Sequence, residues 1–241
     1  MQIAILETGR INEAIANSFD RYPEMFRTMF AAAGATGFEL TTVPVVDGDL
    51  PAHVDDYDGY LVTGSAAGVY DDFDWIPPLM EFIRDAHAAD KPLVGVCFGH
   101  QVIAHALGGH TVKWHDGWGL GVYDLSLDDT PPWMPARDSA RLIHIHQDQV
   151  ITLPETARLI GSTSFCRNAM FHIGDNVFCM QGHPEFTPDY TAALMDARRA
   201  SMGSDRVDHA MATLAGNHEG IAIAGWITDF FRQHAEARVA A

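Results

Sequence analysis

Apolar and polar positions along the first hundred residues follow two different periods. Short, nearly continuous apolar runs at 2–7, 38–46, 57–63 and 91–96 read as strands buried on both faces. Longer amphipathic stretches at 19–33, 75–88 and 98–107 read as helices. Gly34 stops the first of these. Pro77 and Pro78 sit in the first turn of the second, where a missing N–H costs little. Gly108-Gly109 closes the third, which gathers Val102, Ile103, Ala106 and Leu107 on one face. Strands and helices in strict alternation predict an open, mostly parallel sheet with helices on both faces.

The pattern changes after residue 109. Strand-like pieces at 110–114, 122–127, 141–146, 159–161, 169–173 and 177–181 are separated by short turns and read as antiparallel additions. Gly174-Asp175-Asn176 is the expected turn of a hairpin. From Thr187 the pattern is helical, with Thr187 as N-cap, Pro188 at the first helical position, a loop at 202–206 and a last helix over 220–237. No repeat, low-complexity tract or linker interrupts the chain. The expected organisation is one α/β domain over residues 1–186 whose C-terminal helical extension occupies 187–241.

Composition narrows the function. The chain has 241 residues, 47% hydrophobic and 20% charged, the balance of a soluble globular protein. Its 15 basic and 32 acidic residues give a formal charge of −17, which repels phosphate backbones and anionic lipid, so neither nucleic acid nor membrane is an expected partner. The stretch from Glu39 to Asp74, with nine carboxylates and no Lys or Arg, reads as solvated acidic loops. Three cysteines without CxxC spacing argue against a disulfide framework and for a reducing compartment. With an N-terminus that lacks a basic leader and no long apolar run, a cytoplasmic location is expected.

The candidate chemistry lies in two motifs. Gly95-Val-Cys97-Phe-Gly99 has the G-x-nucleophile-x-G form between a strand and a helix. Small residues at 95 and 99 let the backbone turn tightly, and Cys97 then stands at a helix N-terminus, whose dipole favours thiolate. Cys166 and Cys179 lack such a setting and read as core residues. A nucleophilic cysteine needs a base and a group to orient it. Among thirteen histidines, His183 in Gln181-Gly-His183-Pro-Glu185 stands out. It follows a strand, Pro184 keeps it extended, and an extended i, i+2 pair lets Glu185 approach its ring. A positioned base contributes roughly 10²–10⁴-fold to rate. His144 and His146 form an H-x-H without a third or fourth ligand, and His100, His105 and His110, five apart, do not share a helical face, so no metal is expected.

Together, Gly95-Val-Cys97-Phe-Gly-His-Gln101 and Gln181-Gly-His183-Pro-Glu185 resemble the class I glutamine amidotransferases of the Cys-His-Glu type. Thr63-Gly64-Ser65 stands where that family has its oxyanion-strand glycines, His146-Gln147-Asp148-Gln-Val150 is similar to its substrate-holding segment, and residues 162–168 are similar to the segment before the final histidine. The resemblance implies a flavodoxin-like fold and a γ-glutamyl thioester formed on Cys97, with His183 as base and Glu185 as its orienting acid. It implies an oxyanion hole from backbone N–H groups of Phe98 and of Gly64 or Ser65, and substrate contacts from Gln101, His146, Gln147 and Asp148. No cofactor is implied.

The Thr63-Gly64-Ser65 variant, followed by Ala66-Ala-Gly-Val-Tyr70, departs from the usual Gly-Gly-Pro and looks more like stand-alone members such as γ-glutamyl peptidases than ammonia-channelling subunits. The helical residues 187–241 are expected to be too few for a synthetase domain, and no G-x-x-x-x-G-K-[ST] loop occurs among the 241 residues. Three functions fit: a self-contained hydrolase of γ-glutamyl amides, a glutaminase subunit resembling GMP synthase amidotransferase domains that feeds a separate synthetase, and a non-catalytic binding or regulatory protein. Aromatics at Tyr70, Phe73, Trp75, Trp114 and Trp118 read either as an apolar wall for a bulky leaving group or as ordinary packing.

Overall fold

The computed structural model describes residues 1–240. Its strands are β1 (Gln2–Leu6), β2 (Glu39–Val43), β3 (Gly59–Val62), β4 (Leu93–Val96), β5 (His110–Lys113), β6 (Gly119–Leu127), β7 (Ser139–His146), β8 (Asp148–Thr152), β9 (Ala157–Ser162), β10 (Met170–Ile173) and β11 (Val177–Met180). Its α-helices are α1 (Tyr22–Ala32), α2 (Ile76–Ala88), α3 (Phe98–Ala106), α4 (Pro188–Ala197), α5 (Arg199–Met202), α6 (Ser204–Thr213) and α7 (Gly220–Ala240). One nine-stranded sheet runs in the order β2-β1-β3-β4-β11-β10-β9-β6-β7. The first five of these strands are mutually parallel, in the flavodoxin-like order. The remainder are antiparallel. But β11, read at 177–181 as one of the antiparallel additions, lies parallel to β4 and completes the parallel half. It is antiparallel only to β10, in a hairpin that turns through residues 174–176.

Alternation along the parallel strands explains the two helical layers. Ile3, Ile5, Leu61, Val94 and Val96 face a cluster that includes Phe26 and Phe30 of α1 and Ile227, Phe230 and Phe231 of α7. Ala4, Leu6, Tyr60, Val62 and Leu93 face the opposite cluster, with Leu79 and Ile83 of α2 and Val102 and Ile103 of α3. Both faces are therefore dry, which is why these strands read as continuous apolar runs. A third cluster joins Leu120, Val122, Ile143 and Ile145 of the antiparallel part to Tyr190, Leu194 and Val207 of α4 and α6. Among the described residues no helix is long and apolar enough to cross a membrane.

Three further expectations are corrected. The stretch at 38–46 is not strand throughout: it ends at Val43, because Pro44 has no N–H for the ladder and a single 3₁₀ turn follows at Val45–Asp47. The loop expected at 202–206 shrinks to Gly203, whose φ of +89° breaks the helix while Ser204 already opens α6. The strand β8, unread in the sequence, pairs with β5 in a separate two-stranded sheet that sets Asp148 opposite Lys113. Thr187 caps α4 as expected, its hydroxyl accepting from the Tyr190 N–H at 3.2 Å.

Candidate active site

Four parallel strands deliver their following residues to one sheet edge: Arg10 after β1, Gly64 and Ser65 after β3, Cys97 after β4, and His183 and Glu185 after β11. This is the carboxyl edge, where open α/β sheets hold ligands. The elbow at Cys97 is tight. Cys97 has φ +54° and ψ −103°, a conformation costly for a residue with a Cβ. Its N–H donates to the Met180 carbonyl at 2.9 Å, and that of Gly99 donates to the Thr63 carbonyl at 3.1 Å, pinning the turn between two strands. A Cβ at Gly99 would lie 2.2 Å from the Val62 carbonyl oxygen, and one at Gly95 2.6 Å from the Gly99 backbone, so neither position accepts a side chain. Cys97 is 6% exposed, and its Sγ lies 4.0 Å from the Ile145 carbonyl oxygen.

His183 is fixed from three sides. Its N–H donates to the Ile143 carbonyl at 2.7 Å, bridging to β7. Its Nδ1 lies 2.8 Å from Glu185 Oε1, and both side chains are almost wholly buried. Its ring stacks on Phe186, centroids 3.9 Å apart. With Nδ1 taken by the carboxylate, Nε2 is the nitrogen left for the thiol. Burial disfavours the imidazolium, but the charges of Glu185 and a Cys97 thiolate outweigh it and raise the His183 pKa to about 10. The neighbouring buried histidines lack a carboxylate, so burial dominates: His146 falls to about 4, His100 to about 3, and His144 well below its ordinary value. Of these four buried histidines, only the one beside Glu185 is raised rather than lowered.

The expected oxyanion residues surround the thiol. A Cβ on Gly64 would stand 3.0 Å from His183 Cε1 and 3.6 Å from Cys97 Cβ, so this backbone passes directly over the pair. Phe98 opens α3, and its N–H has no partner within the helix. Its ring packs against Trp75 in the core, leaving only its backbone for the site.

A first cleft of about 190 Å³ contains Cys97, Ser65, Gln101, His146, Gln147 and Asp148, so all four expected substrate residues line one space. Gln101 Nε2 donates to the Asp148 carbonyl at 3.0 Å and to Gln181 Oε1 at 3.1 Å. His146 is engaged on both nitrogens, with the Asp148 carbonyl at 3.0 Å and with His144 at 3.3 Å, and so shapes the wall. Burial pushes the Asp148 carboxyl up, against the Tyr70 hydroxyl that donates to it at 2.8 Å and the charge of Lys113. Of the five aromatics, Tyr70 and Trp118 line this cleft, Phe73 and Trp75 stack beside a separate groove, and Trp114 packs on His115.

A second cleft, about 290 Å³, lies on the His183 side of the thiol and includes Arg10, Asn12, Tyr22, Phe186, Leu194 and Arg198. Of these only Phe186 adjoins a motif. The sequence reading missed Arg10, whose place after the first strand was the available signal, and Tyr22, Leu194 and Arg198, which lie on or at the end of helices whose rotation a periodicity cannot fix.

Comparison with known proteins agrees with this architecture. The model of the class-I glutamine amidotransferase family matches residues 18–196, and the chain belongs to that family. It is 32% identical over 196 residues to gamma-glutamyl peptidase 3 of Arabidopsis thaliana, covering 77% of each chain. It is 34% identical over 98 residues to one subunit of the glutamine-hydrolyzing GMP synthase of Methanosphaera stadtmanae, covering 40% of this chain and 52% of that one. Among solved structures, a glutamine amidotransferase of Thermotoga maritima superposes with a TM-score of 0.75 at 16% identity over 98% of each chain, a likeness of fold.

Proposed function

We propose that this protein hydrolyses a γ-glutamyl amide through a thioester on Cys97. The observation that carries the reading is the strained Cys97 elbow beside a buried His183–Glu185 pair that favours imidazolium. In this mechanism Cys97 reacts as the thiolate opposite the His183 imidazolium: sulfur attacks the γ-carbonyl, and N–H groups of Phe98 and of Gly64 or Ser65 hold the oxyanion, each donor worth about 3–4 kcal/mol. His183 then gives its proton to the leaving amine and takes one from the water that cleaves the thioester. Glu185 holds the Nδ1–H and steadies the positive ring. Gln101, Gln147 and Asp148, with His146 behind them, hold the glutamyl end. The similarity to gamma-glutamyl peptidases favours a peptide donor over glutamine. The helices after Thr187 belong to the same domain in this reading, since Leu194 and Arg198 wall the cleft. Three buried, unpaired cysteines fit a cytoplasmic setting.

A second reading has the protein supply ammonia to a separate synthetase. It draws on the GMP synthase similarity and on an apolar groove of about 340 Å³ behind Glu185, formed by Phe19, Met25, Met29, Pro184 and the exposed Ile221. One experiment separates them. Purified protein is assayed alone with glutamine and γ-glutamyl dipeptides, beside Cys97→Ser, and quenched samples are weighed intact. Turnover and a γ-glutamyl adduct that both vanish in Cys97→Ser support the hydrolase. A fast-alkylating Cys97 without turnover favours the ammonia-supplying role, and an inert thiol defeats both.

A further inference from the structure

The two clefts that meet at Cys97 differ in charge. The one with Gln101 and Asp148 carries the carboxylates Asp71 and Asp148 together with Lys113, a set suited to a zwitterionic glutamyl end, and Arg198 borders it too, at the seam of the two clefts. The one on the His183 side has two arginines and no carboxylate in its wall, in a chain of net charge −17. Arg10 is largely neutralised by ion pairs to Glu7 and Asp47. Arg198 is not. Asp196, two residues away, and Asp208 of α6 both pair with Arg199, and among the described residues Arg198 has no carboxylate partner. Its guanidinium lies 4.8 Å over the Trp118 ring, and the Trp118 carbonyl is in turn held by Arg206 at 2.6 Å. Arg198 is thus a cation braced by stacking, half-buried, with its donors unspent where the two clefts meet. The glutamyl side has Lys113 as a cation of its own, whereas the His183 side has no other cation free of an ion pair among the described residues.

Resting on the hydrolase reading above, we propose that the His183-side cleft is a leaving-group subsite for an amino acid or short peptide, and that Arg198 binds its carboxylate. A planar guanidinium matches a carboxylate with two parallel N–H donors. The donor class is then a γ-glutamyl amino acid or peptide with a free carboxyl on the amine released, whereas glutamine would leave Arg198 unused.

The test uses γ-glutamyl-glycine and γ-glutamyl-glycinamide, which differ only in that carboxyl. Wild type is expected to prefer the acid in kcat/KM, Arg198→Gln to cut that preference about tenfold, and Arg198→Lys to recover part of it. Binding of both compounds to Cys97→Ser, followed by calorimetry, should show the same preference and its loss in the Cys97→Ser, Arg198→Gln double variant. Carboxyl-dependent binding without wild-type turnover would sink the hydrolase reading and leave the subsite standing. An unchanged preference in Arg198→Gln overturns the proposal, as does an equal loss on both compounds, which would assign Arg198 to the glutamyl carboxylate they share.

Discussion

The imidazole of His183 lies flat on Phe186, with ring centroids 3.9 Å apart and planes within 4° of parallel. Glu185 fixes one ring nitrogen, but a single hydrogen bond leaves the ring free to swing about it. The aromatic face removes that freedom and favours the cationic ring through its quadrupole. Phe186 is itself held edge-on by Tyr190 at 4.5 Å. Phe186→Leu keeps most of the apolar volume and removes the flat support. It should lower kcat about tenfold and change KM far less, since the loss falls on alignment of the proton transfer. Steady-state kinetics on the best γ-glutamyl donor check this; an equal rise in KM with kcat intact would place Phe186 in substrate binding instead.

The positive φ of Cys97 makes a prediction that runs against ordinary propensity. Glycine normally destabilises relative to alanine by about 0.5–1 kcal/mol, through backbone entropy. At φ +54° alanine keeps the strain of the native cysteine and glycine relieves it. Cys97→Gly and Cys97→Ala should both be inactive, with the glycine variant the more stable on urea denaturation. The usual order, alanine above glycine, would mean that the elbow stores no strain.

Two glycine substitutions near the thiol should fail differently. The Cβ of Gly64→Ala would meet His183 Cε1 at 3.0 Å, a ring edge that can yield by a few tenths of an ångström. Activity should fall at least tenfold while the melting temperature moves little, because the displaced group is the positioned base. The Cβ of Gly99→Ala would meet the Val62 carbonyl oxygen at 2.2 Å, and backbone in the middle of the sheet cannot yield. That variant should be insoluble or unfolded by circular dichroism. A folded, active Gly99→Ala would contradict the packing of α3 against β3.

These contrasts follow what a sequence displays. Four of the five parallel strands were legible as short apolar runs alternating with helices, two of which stop at glycine, Gly34 and Gly108. The fifth, β11, looked like its antiparallel neighbours because a short hairpin turn precedes it. The elbow and the His183–Glu185 pair were legible because their geometry is local: five residues around a turn, and an i, i+2 contact made rigid by a proline. What stayed hidden depends on packing between distant segments. The start of β6 reads as loop because of Gly119 and Gly121, yet Gly121 lets α6 dock, where a Cβ would meet Thr213 Oγ1 at 2.4 Å. The strand β8 shows only Val150 and Ile151 between polar residues and exists because β5 pairs with it. Tyr70 meets Asp148 across 78 residues, and Arg198 reaches the cleft only because α4 packs on β6 and β7.

The raised pKa of His183 ties stability to pH in a definite direction. In the unfolded chain a histidine titrates near about 6.5. In the fold, burial opposes the charge but Glu185 and the Cys97 thiolate carry the pKa up to about 10. A proton held more tightly by the folded state stabilises it fully below the unfolded value, and that contribution is lost as pH rises through the folded one. Wild type should therefore lose stability relative to His183→Asn, which has no proton to lose, between about pH 6.5 and 10. Cys97→Ser removes one of the two negative partners and should show a smaller loss over the same window. Urea midpoints at pH 6, 8 and 9.5 for the three proteins measure this, with the wild-type advantage over His183→Asn expected to shrink at each step. An advantage that grows with pH would mean that His183 is neutral in the fold, and the thiolate–imidazolium pair on which the proposed chemistry depends would not form.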